Sequence, residues 1–141
     1  MSPPRGRRRA RGLGESEGEL DQTTLCERAE IDRRMARELE EYGVLTPRVE
    51  GGERFYSETD AEIASICGRL AGFGIAPRHL RTFRTSADRE TDLLEAATAP
   101  GLRSRNPERR QQATRDLQAL GELAQDLSQR LFWRGLGHLV S

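Results

Sequence analysis

Lysine is missing from this chain. All 23 basic residues are arginine, and 23 Asp and Glu balance them to a formal net charge of zero. Such a bias is what a GC-rich genome imposes, so arginine abundance alone is weak evidence for nucleic acid. With no net charge, no long-range field draws the whole protein onto DNA, and any binding there needs a local patch. Cysteine is scarce too: Cys26 and Cys67 stand far apart among apolar residues with no CxxC or Cys/His spacing. They read as small core residues in a reducing compartment rather than as a redox pair or a zinc site. The two histidines, His79 and His138, have no nucleophile or paired acid at a meaningful spacing, so neither catalysis nor a metal or cofactor is expected. Four Phe, two Tyr and one Trp are too few for a ligand cage of stacked rings. No apolar run approaches the roughly 18–20 residues of a membrane span. The arginine-rich start is not followed by a signal-peptide apolar stretch. A cytoplasmic protein with no membrane partner is the expectation.

The chain has 141 residues, 35% of them hydrophobic and 33% charged. That balance suits one small helical domain with a thin core, broad solvated faces and an appendage. Residues 1–22 form two charge blocks, "PPRGRRRARG" with five arginines and the acidic "ESEGELD". With so little to bury they read as a disordered arm. A basic arm can lie along phosphates, although the acidic block could neutralise it in place.

From Thr24 the pattern turns helical. Thr23 or Thr24 is the expected N-cap of a short helix, and "EID" supplies a tight turn with Asp32 as the next cap. Met35, Leu39 and Tyr42 recur on one face of a second helix, which Gly43 ends. Together these make a helix-turn-helix candidate. "TPRVEGGERFY" then carries β-favouring residues on both sides of Gly51-Gly52, a hairpin signal over about Arg48–Tyr56. A third helix opens with Ser57 three residues before Asp60, close to a capping box, and Gly74 closes it. A fourth begins at Pro77, and "PGLRSRN" is expected to break it. The core should centre on Leu25, Met35, Leu39, Val44, Leu45, Ile63, Ile66, Leu70, Phe73 and Leu80. The last segment, with Asn106 as its expected N-cap and Pro107 in its first turn, has the strongest period. Leu117, Leu120, Ala124, Leu127 and Leu131 alternate by three and four residues in a heptad seam on a helix reaching about Trp133. Such a seam needs a partner: a symmetry mate packed antiparallel, or Leu80–Ala97 of the same chain.

The phrase "MARELEEYGVLTPRVEGGERFYSETDAEI…LAGFGIAPRHL" resembles the DNA-binding domain of MerR-family transcription regulators. Arg37, Glu40, Gly43, Leu45, Arg54, Tyr56, Asp60, Phe73, Gly74 and Leu80 occupy the places of that family's pattern, across about Thr23 to Ala87. The wider layout is similar to the C-terminal MerR-like half of FtsR-type regulators. The resemblance implies a mainly α fold, a winged helix-turn-helix with a small β-hairpin wing followed by a long C-terminal coiled-coil-type helix. It divides the chain into an arm (1–22), the winged domain (23–87), a helical hairpin and dimerisation region (88–134) and a tail (135–141). It also implies either a stand-alone form or the rear part of a longer regulator. Glu38, Leu39 and Glu53 stand where the family has hydrogen-bonding aromatics that contact phosphate. Two of these changes add a charge that phosphate repels.

Two functions follow, and an enzyme is a distant third. In the first, the chain is a MerR-like regulator that binds double-stranded DNA as a dimer through Arg33, Arg34, Arg37, Arg48, Arg54 and Tyr56, with the second helix in the major groove. These arginines could equally form pairs along a solvated helix face. In the second, the chain is a degenerate winged helix that dimerises or senses an effector and binds little DNA of its own. The sequence names neither operator nor effector.

Overall fold

The computed structural model describes residues 18–141, so most of the expected arm lies outside the described residues. The chain is mainly helical, with one small antiparallel sheet: β1 (Glu19–Asp21), α1 (Gln22–Ala29), α2 (Arg33–Glu41), β2 (Arg48–Glu50), β3 (Glu53–Ser57), α3 (Glu58–Ala71), α4 (Pro77–Leu102) and α5 (Pro107–His138). It divides into two compact units, whose described parts are residues 18–88 and 89–141.

In the first unit the helices start and stop on local chemistry. Asp21, not a threonine, caps α1, its carboxylate accepting from the Thr24 amide at 2.8 Å. Asp32 caps α2 in the expected way, accepting from Met35 N at 2.8 Å. Between them Glu30 takes a left-handed backbone, φ 58°, which reverses the chain within three residues. Gly43 ends α2 at φ 75°, where a Cβ would lie 2.9 Å from Arg84 Nη1. The expected hairpin is present: β2 and β3 pair antiparallel, with Val49 opposite Arg54, and Gly51 and Gly52 both have positive φ. That conformation suits a two-residue turn whose twist matches the strands.

A third strand was not foreseen. Residues 19–21, assigned by sequence to the arm, pair along the other side of β3, with Leu20 opposite Tyr56. The sheet order is therefore β1-β3-β2. Three residues are too few to show an alternating pattern, so only the partner strand reveals this one.

The core gathers Leu25, Ala29, Ala36, Leu39, Leu45, Tyr56, Ala61, Ala64, Cys67 and Leu80, with Met35, Val44, Ile63 and Leu70 packed against it. Two expected members are outside: Ile66 is 51% exposed and Phe73 86%. The reason lies in how closely α3 is approached. A Cβ on Gly68 would come within 2.9 Å of the Ile31 side chain, so this face of α3 must be lined with small residues. Ala61, Ala64 and Cys67 line it at three-residue spacing and leave Ile66 on another face.

In the second unit, α4 continues through Pro100 to Leu102 instead of breaking before it. A proline so near the C-terminus removes one hydrogen bond from the last turns and little more. Gly101 follows, and a Cβ there would fall 2.6 Å from the Ala113 Cβ, so the end of α4 meets α5 through glycine against alanine. Asn106 caps α5, accepting from Glu108 N at 2.9 Å, with Pro107 in its first turn. The helix runs on to His138, through much of the segment expected as a tail, and 32 residues make it about 48 Å long.

Candidate nucleic-acid interface

The arginines singled out by sequence lie on α2 and the β2–β3 hairpin, the two elements a groove-reading module would present. Their side chains are mostly engaged at home. Arg48 reaches across the sheet to Glu19, with Nε and Nη2 both donating to its carboxylate at 2.8 Å. It also donates to Glu50 and lies 4.8 Å over the Phe55 ring. This holds the Glu19 carboxyl below its ordinary value, chiefly through the Arg48 hydrogen bonds, and raises the Arg48 guanidinium. Arg54 Nε donates to Glu40 Oε1 at 2.8 Å, tying the hairpin to α2. Arg34 pairs with Glu38 one turn on, at 3.3 Å, the same-helix pairing weighed from sequence. Arg33 Nη2 donates to the Thr23 hydroxyl at 2.9 Å.

Tyr56 is a correction. Only 1% exposed, it belongs to the core and has no surface from which to touch a phosphate. Its hydroxyl donates to Glu40 at 3.3 Å and accepts from Gln22 Nε2 at 3.2 Å. Burial, the largest cause, pushes its pKa up. Glu40 is thus a node that holds α2, the hairpin and, through Tyr56, the start of α1.

Arg37 differs from the rest. Among the described residues it makes no hydrogen bond or ion pair, and it lines a concave region of about 470 Å³ between α2 and the hairpin. Arg33, Arg54, Asp21 and Glu53 share that lining, so the concavity carries both signs of charge. The sequence marks Glu38 and Glu53 as repulsive but shows neither the part of Glu19 nor the pairing role of Glu40. Glu19 lies in a stretch that sequence assigned to the arm, and Glu40 is paired only once the hairpin folds onto α2.

The seam residues are split. Leu117 lines a groove facing α4, Leu120 and Ala124 are half-buried, and Leu127 and Leu131 are 60% and 45% exposed. The helix touches α4 of the same chain at Ala113 and at Ser128, whose hydroxyl is 2.6 Å from Glu90 Oε1. The contacts fall at Gly101 and Glu90, and Leu80, part of the fold-back surface weighed from sequence, packs in the core of the first unit instead. At 100° per residue, Leu123 and Leu127 lie well round α5 from the line Gly121–Ser128 that faces α4. From Arg89 to Ser141 only Thr98 and Ala113 are buried.

Among the described residues no three His, Cys, Asp or Glu side chains are grouped to hold a metal, and no helix is long and apolar enough to cross a membrane. His79 has a structural role at the start of α4, its Nδ1 accepting from Ala76 N at 3.0 Å.

A family model described as "Rv1828-like, C-terminal domain" matches residues 18–140. Two HTH-type transcriptional regulators, from Mycobacterium bovis and Mycobacterium tuberculosis, are each 36% identical to this chain over 81 residues. The aligned stretch is 57% of this chain and 32% of each regulator, so the chain spans about a third of the length of the curated relatives it matches.

Proposed function

The chain belongs to the Rv1828-like C-terminal-domain family, and from that premise we propose that it is the regulatory, dimer-forming module of a MerR-like transcription regulator. On this reading it keeps a winged helix-turn-helix frame in α1, α2 and the β2–β3 hairpin but contacts double-stranded DNA only weakly, or through a partner module. The observation that carries this is the internal pairing of Arg48 with Glu19 and Glu50 and of Arg54 with Glu40. An arginine already bonded to a carboxylate must give up that bond before it neutralises a phosphate, so it adds little to affinity. Arg37, with Arg33 beside it, is left as the main folded contribution.

Dimerisation is the second half of the reading. A hairpin with two buried residues cannot be held by its own core, and the exposed stripe Leu123, Leu127 and Leu131 offers a symmetry mate a place to pack. The alternative function, a stand-alone regulator that reads DNA itself, rests on the unengaged Arg37.

Fluorescence anisotropy with random duplex at low and moderate salt tests the first half. Weak binding that salt abolishes is expected, and deleting residues 1–12 should flatten the salt dependence. Nanomolar, sequence-specific binding that survives the deletion would refute the proposal. Light scattering tests the second half: wild type should be a dimer at tens of micromolar, and Leu120→Arg with Leu127→Arg a folded monomer.

A further inference from the structure

Between the contacts at its two ends, Gly101 on Ala113 and Glu90 with Ser128, the α4–α5 hairpin encloses a groove of about 660 Å³. That size lies within the range of small-molecule sites. Its floor is apolar, formed by Leu94 and Leu102 of α4 and Leu117 of α5. Gly121 opens it further, since a side chain built there would meet nothing within 4 Å.

The groove's charge is one-sided. Glu95, Glu122 and Asp126 line it together with glutamines, and no arginine does. Local partners only partly satisfy these carboxylates. Glu122 accepts from the neutral Gln118 amide at 3.2 Å, and Asp126 has Arg130 at 3.8 Å. Among the described residues no hydrogen bond or ion pair engages the Glu95 carboxylate. In a chain with as many arginines as acids, an apolar trough lined by three carboxylates, of which only Asp126 has an arginine within 4 Å, favours a cationic ligand. An anion would meet repulsion from both helices, and a neutral apolar molecule would gain nothing from the solvated carboxylates at the rim.

We propose that this groove binds a small lipophilic organic cation, an aromatic or alkyl body on the leucine floor with an ammonium group toward Glu95 and Glu122. The proposal deepens the reading of the chain as the regulatory module of a transcription regulator and rests on it for its biological meaning. Its chemistry stands on the groove alone. A ligand there would fill the space that the two helices leave between them, so occupancy would stiffen the hairpin that carries the exposed leucine stripe.

The test is isothermal titration calorimetry on the full chain at low salt, with benzyltriethylammonium as the probe and phenylmethanesulfonate as its anionic counterpart. The cation should bind saturably at one site per chain and the sulfonate should not bind. Glu95→Gln with Glu122→Gln should weaken the cation about tenfold. Gly121→Leu should abolish binding by filling the groove, and since leucine is the better helix former it leaves the helix intact, which circular dichroism confirms. Equal binding of the sulfonate, or undiminished cation binding by Gly121→Leu, would overturn the proposal. Either failure leaves the DNA titration and the light-scattering result untouched, whereas nanomolar DNA binding would overturn the weakly binding module reading with the groove intact.

Discussion

If carboxylates hold Arg48 and Arg54 away from phosphate, removing the negative charge while keeping the side-chain shape should create DNA affinity. The perturbation is the triple substitution Glu19→Gln, Glu40→Gln, Glu50→Gln, which takes the charged partners from both arginines. Glutamine at position 40 keeps one oxygen to accept from Arg54 Nε and turns its amide N–H toward the Tyr56 oxygen, which can accept it. The loss of stability should therefore stay near ~1 kcal/mol for that partly buried pair. Each arginine that gains a phosphate steepens the log–log salt dependence by about 0.9, so two add about 1.8, and a fourfold rise in salt then weakens binding by about an extra twelvefold. Anisotropy of a labelled random duplex at about 50 and 200 mM salt reads that slope, and a thermal melt confirms that the variant is folded. A folded triple variant with the wild-type slope would falsify the argument that pairing masks these arginines.

Three further outcomes follow from the packing. Ile66→Ala should cost under ~1 kcal/mol and Leu39→Ala ~2–5 kcal/mol by denaturant unfolding, because Leu39 is fully buried and Ile66 is not; similar losses would mean that the face of α3 is misassigned. Gly101→Ala should destabilise the hairpin by ~1–3 kcal/mol because its Cβ meets that of Ala113, and Ala113→Gly should restore it; an unchanged melting temperature would show that the two helices part freely there. Arg48 holds Glu19 below its ordinary 4.5, and the Thr24 amide holds Asp21 below 3.8. Depressed folded values give stability that is complete above the unfolded ones and lost as pH falls through the folded ones. The melting temperature should therefore decline from about pH 5 downward, less steeply in Glu19→Gln with Asp21→Asn.

Much of this protein is written in local sequence. The Asp32, Ser57 and Asn106 caps, the Gly51-Gly52 turn and the end of α2 at Gly43 each depend on a side chain or backbone acting within a few residues of itself, and each was legible before the fold was known. The long terminal helix was legible too, because a helix repeats its own faces, although its seam residues are split between the groove and open surface. Other features depend on partners far along the chain. Strand β1 exists only because β3 has an unpaired side, and Glu19 meets Arg48 only across that sheet. Ile66 turned outward because the close approach of Ile31 to Gly68 left room for alanine and cysteine but not isoleucine, and hydrophobicity alone ranks those residues the other way. The candidate interface shows the same division. Sequence found the arginines and saw that acids stood nearby, but whether a guanidinium is free or bonded is a matter of distances between separate elements, which only the tertiary structure sets.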